Sequence, residues 1–360
     1  MYFKGIKVPV LFSLLILCCV LFLWGCKAQS GNNAEQGTEA LPPKVKIGFS
    51  MDTLLVERWQ KDRDIFTARA QELGAEVLVQ NANNDGSQQI NQAQYLLKQG
   101  IDTLVIIPHD SETSSSIVQM AKKQGVKVIS YDRLIRNANV DIYISFDSSK
   151  IGELMAEHVT GKADSGNYIL LNGSKTDNNS FLLNSGFKKI LQPYIEKGRI
   201  KIIAEIWAEN WRPESAFRCV EETLQSGERV DAVIAANDNL AGAAIEALSE
   251  KRLAGKIPVA GHDADLDGCQ RVVEGTQLMT VYKPIDKLAK AAAEIAVKMA
   301  EGEKAEADKS IYDGRYTVPY YVIESTPVTK SNMADTVIKD GFHRLEEVYK
   351  YIPKPLWPAN

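Results

Sequence analysis

From Lys44 onward the chain alternates between short apolar runs and longer stretches in which apolar residues recur every three or four positions. The runs KVKIGFS, EVLVQ, TLVIIP, VKVISYD and IYISFD are β-branched and bounded by turn residues, which predicts strands. After Asp147 the same rhythm resumes with NYILLNG, KIIAEIW, DAVIAAN, IPVAGHD and LMTVYK. The stretches between predict helices over 58–73, 88–99 and 114–124, then over 180–198, 213–227, 239–251, 265–275 and 286–302. Gly74, Gly100 and Gly125 each stand between a helix and the next strand, where a helix terminates most cheaply in the left-handed conformation. Strand–helix alternation at this spacing predicts parallel sheets covered by helices on both faces. Two such sets predict an α/β protein of two doubly wound lobes.

The first 26 residues follow a different pattern: Lys4 and Lys7 precede an apolar run from Val8 to Cys26. That arrangement predicts a secretory signal. Its ending LWGC resembles the lipobox of bacterial lipoproteins, which makes Cys26 the expected lipidation site. An uncleaved signal anchor is the alternative; either way the folded part is expected outside the cytoplasm, held at a membrane. Residues 27–43 are small and polar and end in Pro42-Pro43, the composition of a flexible spacer. Only Cys219 and Cys269 remain for the fold, both in predicted helices, and two buried thiols are expected rather than a disulfide. A net charge of −4 supplies no basic excess to displace counterions, which argues against nucleic acid as a partner.

Ligands of open α/β sheets bind outside the carboxyl ends of the strands. There this sequence places Asp52 with Arg58 and Trp59, His109-Asp110, Asp132-Arg133, Asp147, Asp177-Asn178-Asn179, Trp207 and Trp211, Asn237-Asp238, Asp263 and Lys283. Structural turns favour Gly, Pro, Ser and Asn instead. Asp, Asn and Arg are planar bidentate groups suited to adjacent hydroxyls, and Trp offers a plane for C–H faces while excluding water. An anionic ligand would call for a Gly-rich nest or unopposed cations. Here Arg58, Arg133 and Lys283 are opposed by Asp132, Asp177, Asp238 and Asp263, which favours a neutral polyol. Trp207, closing an apolar strand, is expected in the core. No metal-ligand spacing occurs, and no cofactor is implied.

The segments VKIGFSMDTLLVERWQKDRDIF, TLVIIPHD, VISYDRLI, DIYISFD, TDNN, AANDNLAGAAIEALS, GHDADLDG, GTQLMTVYKP and TVIKDGFH, in this order, resemble the periplasmic D-xylose-binding proteins, sugar receptors of ABC importers with the type I periplasmic-binding fold. The resemblance spans about 44–343. It implies three hinge crossings, near Asp147, Tyr282 and Ser310, and hence a first lobe of 44–147 plus 284–308, a second of 148–283 plus 309–343, and a tail of 344–360. It implies that Arg58, Asp132 and Arg133 bind sugar hydroxyls from the first lobe, and Asn179, Asn237, Asp263 and Lys283 from the second lobe and its hinge. Trp59 and Trp211 would stack on opposite faces of the pyranose. Where such relatives carry an arginine in the helix after DNN, this chain has Asn184, a departure expected to remove a cation from the site.

An enzyme reading lacks any GxSxG, Walker loop, GxGxxG or HExxH. A repressor of related fold would need a helix-turn-helix where the signal and spacer stand. The rival function is sensing: an anchored xylose receptor that contacts the sensor domain of a histidine kinase rather than an ABC permease. The same pocket serves both.

Overall fold

A computed structural model describes residues 44–307 and 309–358. The predicted signal, Cys26 and the spacer lie outside the described residues.

Two parallel sheets form the frame. In the first, β1 (Lys46–Met51), β2 (Glu76–Asn81), β3 (Thr103–Ile106), β4 (Lys127–Tyr131) and β5 (Ile142–Phe146) lie in the order β2-β1-β3-β4-β5. Helices α1 (Glu57–Glu72), α2 (Gly86–Lys98) and α3 (Ser115–Lys123) connect the first four strands. In the second, β6 (Gly166–Asn172), β7 (Ile200–Trp207), β8 (Ala232–Ala235) and β9 (Val259–Ala260) follow the order β7-β6-β8-β9. A bridge from Ala260 to Met279 carries that sheet on to β10 (Thr280–Tyr282). Both strand orders reverse after their first strand, so each lobe has a switch point at which its strand ends splay into a crevice.

Helices α4 (Ser148–Lys162), α5 (Asn178–Glu196), α6 (Pro213–Gln225), α7 (Asp238–Glu250) and α8 (Leu266–Glu274) cover the second sheet. Helix α4 carries no strong sequence periodicity, which hides it from a sequence reading; Asp147 starts it by accepting from Lys150 N at 3.1 Å. A Cβ on Gly152 would fall 2.3 Å from the Leu183 carbonyl, so α4 and α5 meet backbone to backbone only because the residue is glycine. Helix α9 (Ile285–Ala300) returns to the first lobe and packs on α1 and β3. Gly74, Gly100 and Gly125 end α1, α2 and α3 with positive φ, as expected.

The third crossing differs from expectation. Residues 309–323 form β11 (Lys309–Tyr312) and β12 (Thr317–Ile323), which extend the first sheet in the order β11-β12-β5. Strand β12 runs parallel to β5 with Tyr320 opposite Tyr143, and the two rings stack at 4.6 Å. The chain therefore leaves the first lobe between Ile323 and β13 (Thr326–Val328), which pairs with β10. Pro319 hides this strand from a sequence reading, since proline is disfavoured within sheets; here it lies toward the edge, opposite Ser310 of β11.

The tail packs on the second lobe. Val348 and Tyr349 are buried with Cys269, Val272, Val273, Met333 and Val337, and Gln270 Nε2 donates to the Glu347 carbonyl at 2.8 Å. Cys219 is half-buried and Cys269 buried, both as free thiols. Among the described residues no helix is long and apolar enough to cross a membrane.

Candidate functional site

A cavity of about 80 Å³ lies between the carboxyl ends of the two sheets. That is room for a handful of waters or one small polyol. Arg58, Trp59, Asp132, Arg133, Asn179, Trp211, Asn237, Asp263 and Lys283 all line it. So do Asp52, Thr53, His109, Ser148, Thr176, Asp177 and His262, with Val56 and Leu183 as apolar wall.

The first lobe contributes a rigid ion lattice. Arg58 and Trp59 open α1, whose buried positions 58, 59, 62, 66 and 70 follow one face of the helix. The Arg58 guanidinium reaches Asp132 through Nη2 and Asp62 through Nε at 3.3 Å, while its carbon sits 4.3 Å from the Trp59 ring centre. Asp132 follows β4 with φ +61°, and its carbonyl accepts from the Tyr143 and Ser145 hydroxyls. Burial alone would raise the Asp132 carboxyl; Arg58 and Lys283 overcome it and hold the group below its usual value. Arg133 bridges Asp52 at 2.7 Å and, across the cleft, Asp177 at 2.8 Å. His109 holds the other Asp52 oxygen through Nδ1 at 2.7 Å, and that bond raises its pKa above the ordinary imidazole value.

The second lobe presents its groups on loops after β6, β7, β8 and β9. Asp177 and Asn237 start α5 and α7, accepting from Asn179 N and Leu240 N at 2.9 Å each. The Asn179 amide donates to the Asp132 carbonyl at 3.0 Å, a second bond across the cleft. Lys283, at the second crossing, lies 2.6 Å from Asp263, whose carboxylate also faces Arg58 at 3.7 Å. Burial would raise the Asp263 carboxyl, but His262, Lys283 and Arg58 bring it far below its usual value. Trp211 stands in a tight turn with φ +59° directly over Gly173. Trp211 Nε1, His262 Nδ1 and Asp263 Oδ1 line the cavity, buried without a hydrogen-bond partner, and each is a group a polar ligand can satisfy.

Three expectations change. Asp238 is not a cavity residue; Asp52, just past β1, completes the set of opposing carboxylates instead. Trp207 is half-buried at a sheet edge, 4.7 Å from the Phe181 ring, and neither core nor site. Asn184 faces away from the cavity, donating to Asn172 at 2.8 Å and Glu205 at 2.9 Å. The cavity-facing positions of α5 are Asn179 and Leu183, one turn apart, so the expected loss of a cation from the site does not occur at position 184. Asp52, His109 and Asp177 stood among the strand-exit residues, but nothing in the sequence shows that they brace Arg133 rather than a turn.

The cavity thus holds three permanent cations, each paired with carboxylates, between two tryptophans and beneath two lobes that touch across it. Fold and site together define a two-lobed receptor whose cavity suits a small neutral polar ligand. The chain belongs to the periplasmic binding protein domain family, whose model matches residues 47–304. It is 49% identical over 306 residues to the D-xylose-binding periplasmic protein of Haemophilus influenzae, covering 85% of this chain and 92% of that one. The protein of the same description from Escherichia coli is 46% identical over 85% of this chain and 93% of its own length. A carbohydrate transporter solute binding protein from Chloroflexus aurantiacus, solved with D-glucose, superposes with a TM-score of 0.79 at 27% identity, covering 84% of this chain and 98% of that one.

Proposed function

We propose that this chain is an extracytoplasmic receptor that binds D-xylose or a related pentose between its lobes and delivers it to an ABC importer. The observation that carries the reading is the cavity's charge arrangement. Every arginine and lysine in it is already held by a carboxylate, so the site offers oriented donors and acceptors without net attraction for an anion. The relatives nearly half identical to this chain are named for D-xylose, which supports the pentose; they lend no support to a histidine-kinase partner. In this reading Arg58, Asp132, Arg133, Asn179, Asn237, Asp263 and Lys283 bind hydroxyls, and Trp59 and Trp211 supply apolar planes. Lipidation at Cys26 would hold the receptor at the membrane, with residues 27–43 as its tether.

Calorimetric titration of the full chain with D-xylose, ribose, arabinose and glucose tests this. Selective xylose binding is expected. Arg133→Ala leaves Asp177 buried without a cation and Asp52 with His109 alone, and should abolish it; Trp211→Ala should weaken it about tenfold or more through loss of one apolar plane. Preference for another sugar, or indifference to Arg133, would overturn the reading.

A further inference from the structure

We propose that Asp238, which does not reach the cavity, is the positioning residue that sets the Asp263 carboxylate in place and so governs the strength of the ligand grip. Asp263 and Ala264 have φ of +106° and +54°, conformations that non-glycine residues hold only when their surroundings impose them. Asp238 imposes them from behind. Its backbone N–H donates to the His262 carbonyl at 2.9 Å. One carboxylate oxygen accepts from Asp265 N at 3.1 Å and from the Thr280 hydroxyl at 2.8 Å. That hydroxyl oxygen in turn accepts from Ala264 N at 3.1 Å. The other oxygen accepts from Gln277 Nε2 at 2.6 Å. One fully buried residue therefore fixes the loop on both sides of Asp263, with its backbone N–H on the His262 side and its carboxylate on the Ala264–Asp265 side, the part a side-chain substitution removes.

The slot that holds this carboxylate is built for it. A Cβ on Gly261 or on Gly268 would lie 2.3 Å from one or the other of its oxygens. Relaxing the loop to ordinary backbone angles would turn the Asp263 carboxylate away from Lys283 at 2.6 Å and from Arg58 across the cleft. Asp238 thus acts on the ligand through Asp263, which is a different role from capping α7, where Asn237 supplies the side chain.

The test uses the full chain, wild type and as Asp238→Asn and Thr280→Val, with Thr280→Ser retaining the hydroxyl. Two readouts are followed: xylose affinity, and the titration of the His262 ring by NMR. His262 lies beside Asp263 with Lys283, Arg58 and Asp132 around it, and burial holds its pKa down to about 4. Asp238→Asn and Thr280→Val should each lower xylose affinity at least tenfold and move the His262 titration further down, because the Asp263 carboxylate that favours the charged ring has turned away, while Thr280→Ser keeps both near wild type. Should Asp238→Asn fail to fold, Thr280→Val decides alone. Variants that melt earlier yet keep the wild-type His262 titration and affinity would reduce Asp238 to a core residue and overturn the proposal. The affinity arm rests on the pentose reading and the His262 arm does not. A wild type that binds no pentose would therefore sink that reading while the titration still judges Asp238.

Discussion

Gly173 shows how a residue without a side chain shapes the site. It ends the run NYILLNG, where a turn glycine is unremarkable by sequence. In the fold, a Cβ there would lie 2.2–2.4 Å from three atoms of the Trp211 ring. The ring therefore rests on bare backbone, and the positive φ of Asn210 and Trp211 brings it there. Gly173→Ala is expected to displace the indole, lowering xylose affinity tenfold or more while shifting the melting temperature only by a few degrees, since Gly173 itself needs no special φ. Paired calorimetry and thermal melts check this; unchanged affinity would mean that Trp211 is not a ligand plane. The same scale shows what the sequence made legible. Residue types at strand exits announced Trp59, Arg133 and Asp263, because ligand chemistry restricts those types. The pairings did not show, because Arg133 meets Asp52 and Asp177 from 81 and 44 positions away only once both sheets have formed.

Among elements, α1 matters most to the site, because its first turn carries Arg58 and Trp59. One turn later Asp62, fully buried, joins Arg58 to the Tyr131 hydroxyl at the end of β4 and so locks the helix to the sheet. Burial raises the Asp62 carboxyl to about 6 from 3.8, against the pull of Arg58. The unfolded chain gives up this proton first, so the group's contribution to stability is full below about 4 and is lost as pH rises toward about 6. Asp62→Asn has no such titration. The wild type's margin over it in urea midpoint should shrink between those two pH values, and a margin that grows would contradict the burial argument. Helices and parallel strands of this kind were readable from periodicity and glycine caps. Strand β12 and helix α4 were not. The first is masked by Pro319, and the second contains Gly152 and Gly161 and presents a small-residue face to α5 rather than a broad apolar one.

For the whole molecule, the three crossings lie side by side after β5, β10 and β12, and the lobes meet above them around one cavity. Arg133–Asp177, Asn179–Asp132 and the Ser111 N–H to Thr176 carbonyl bond at 2.8 Å join the lobes at its rim, while Arg58 faces Asp263 within. Such bonds exist only in the closed form, and a ligand favours that form by the extra contacts it makes there. In the proposed function a pentose is one of the parts completing this closed arrangement. A crystal structure of the chain with D-xylose tests it most directly. The pyranose is expected in the cavity between Trp59 and Trp211, its hydroxyls on Arg58, Asp132, Arg133, Asn179, Asn237, Asp263 and Lys283. A sugar bound elsewhere, or one held in the cavity without contact to either tryptophan or to Arg133, would contradict it.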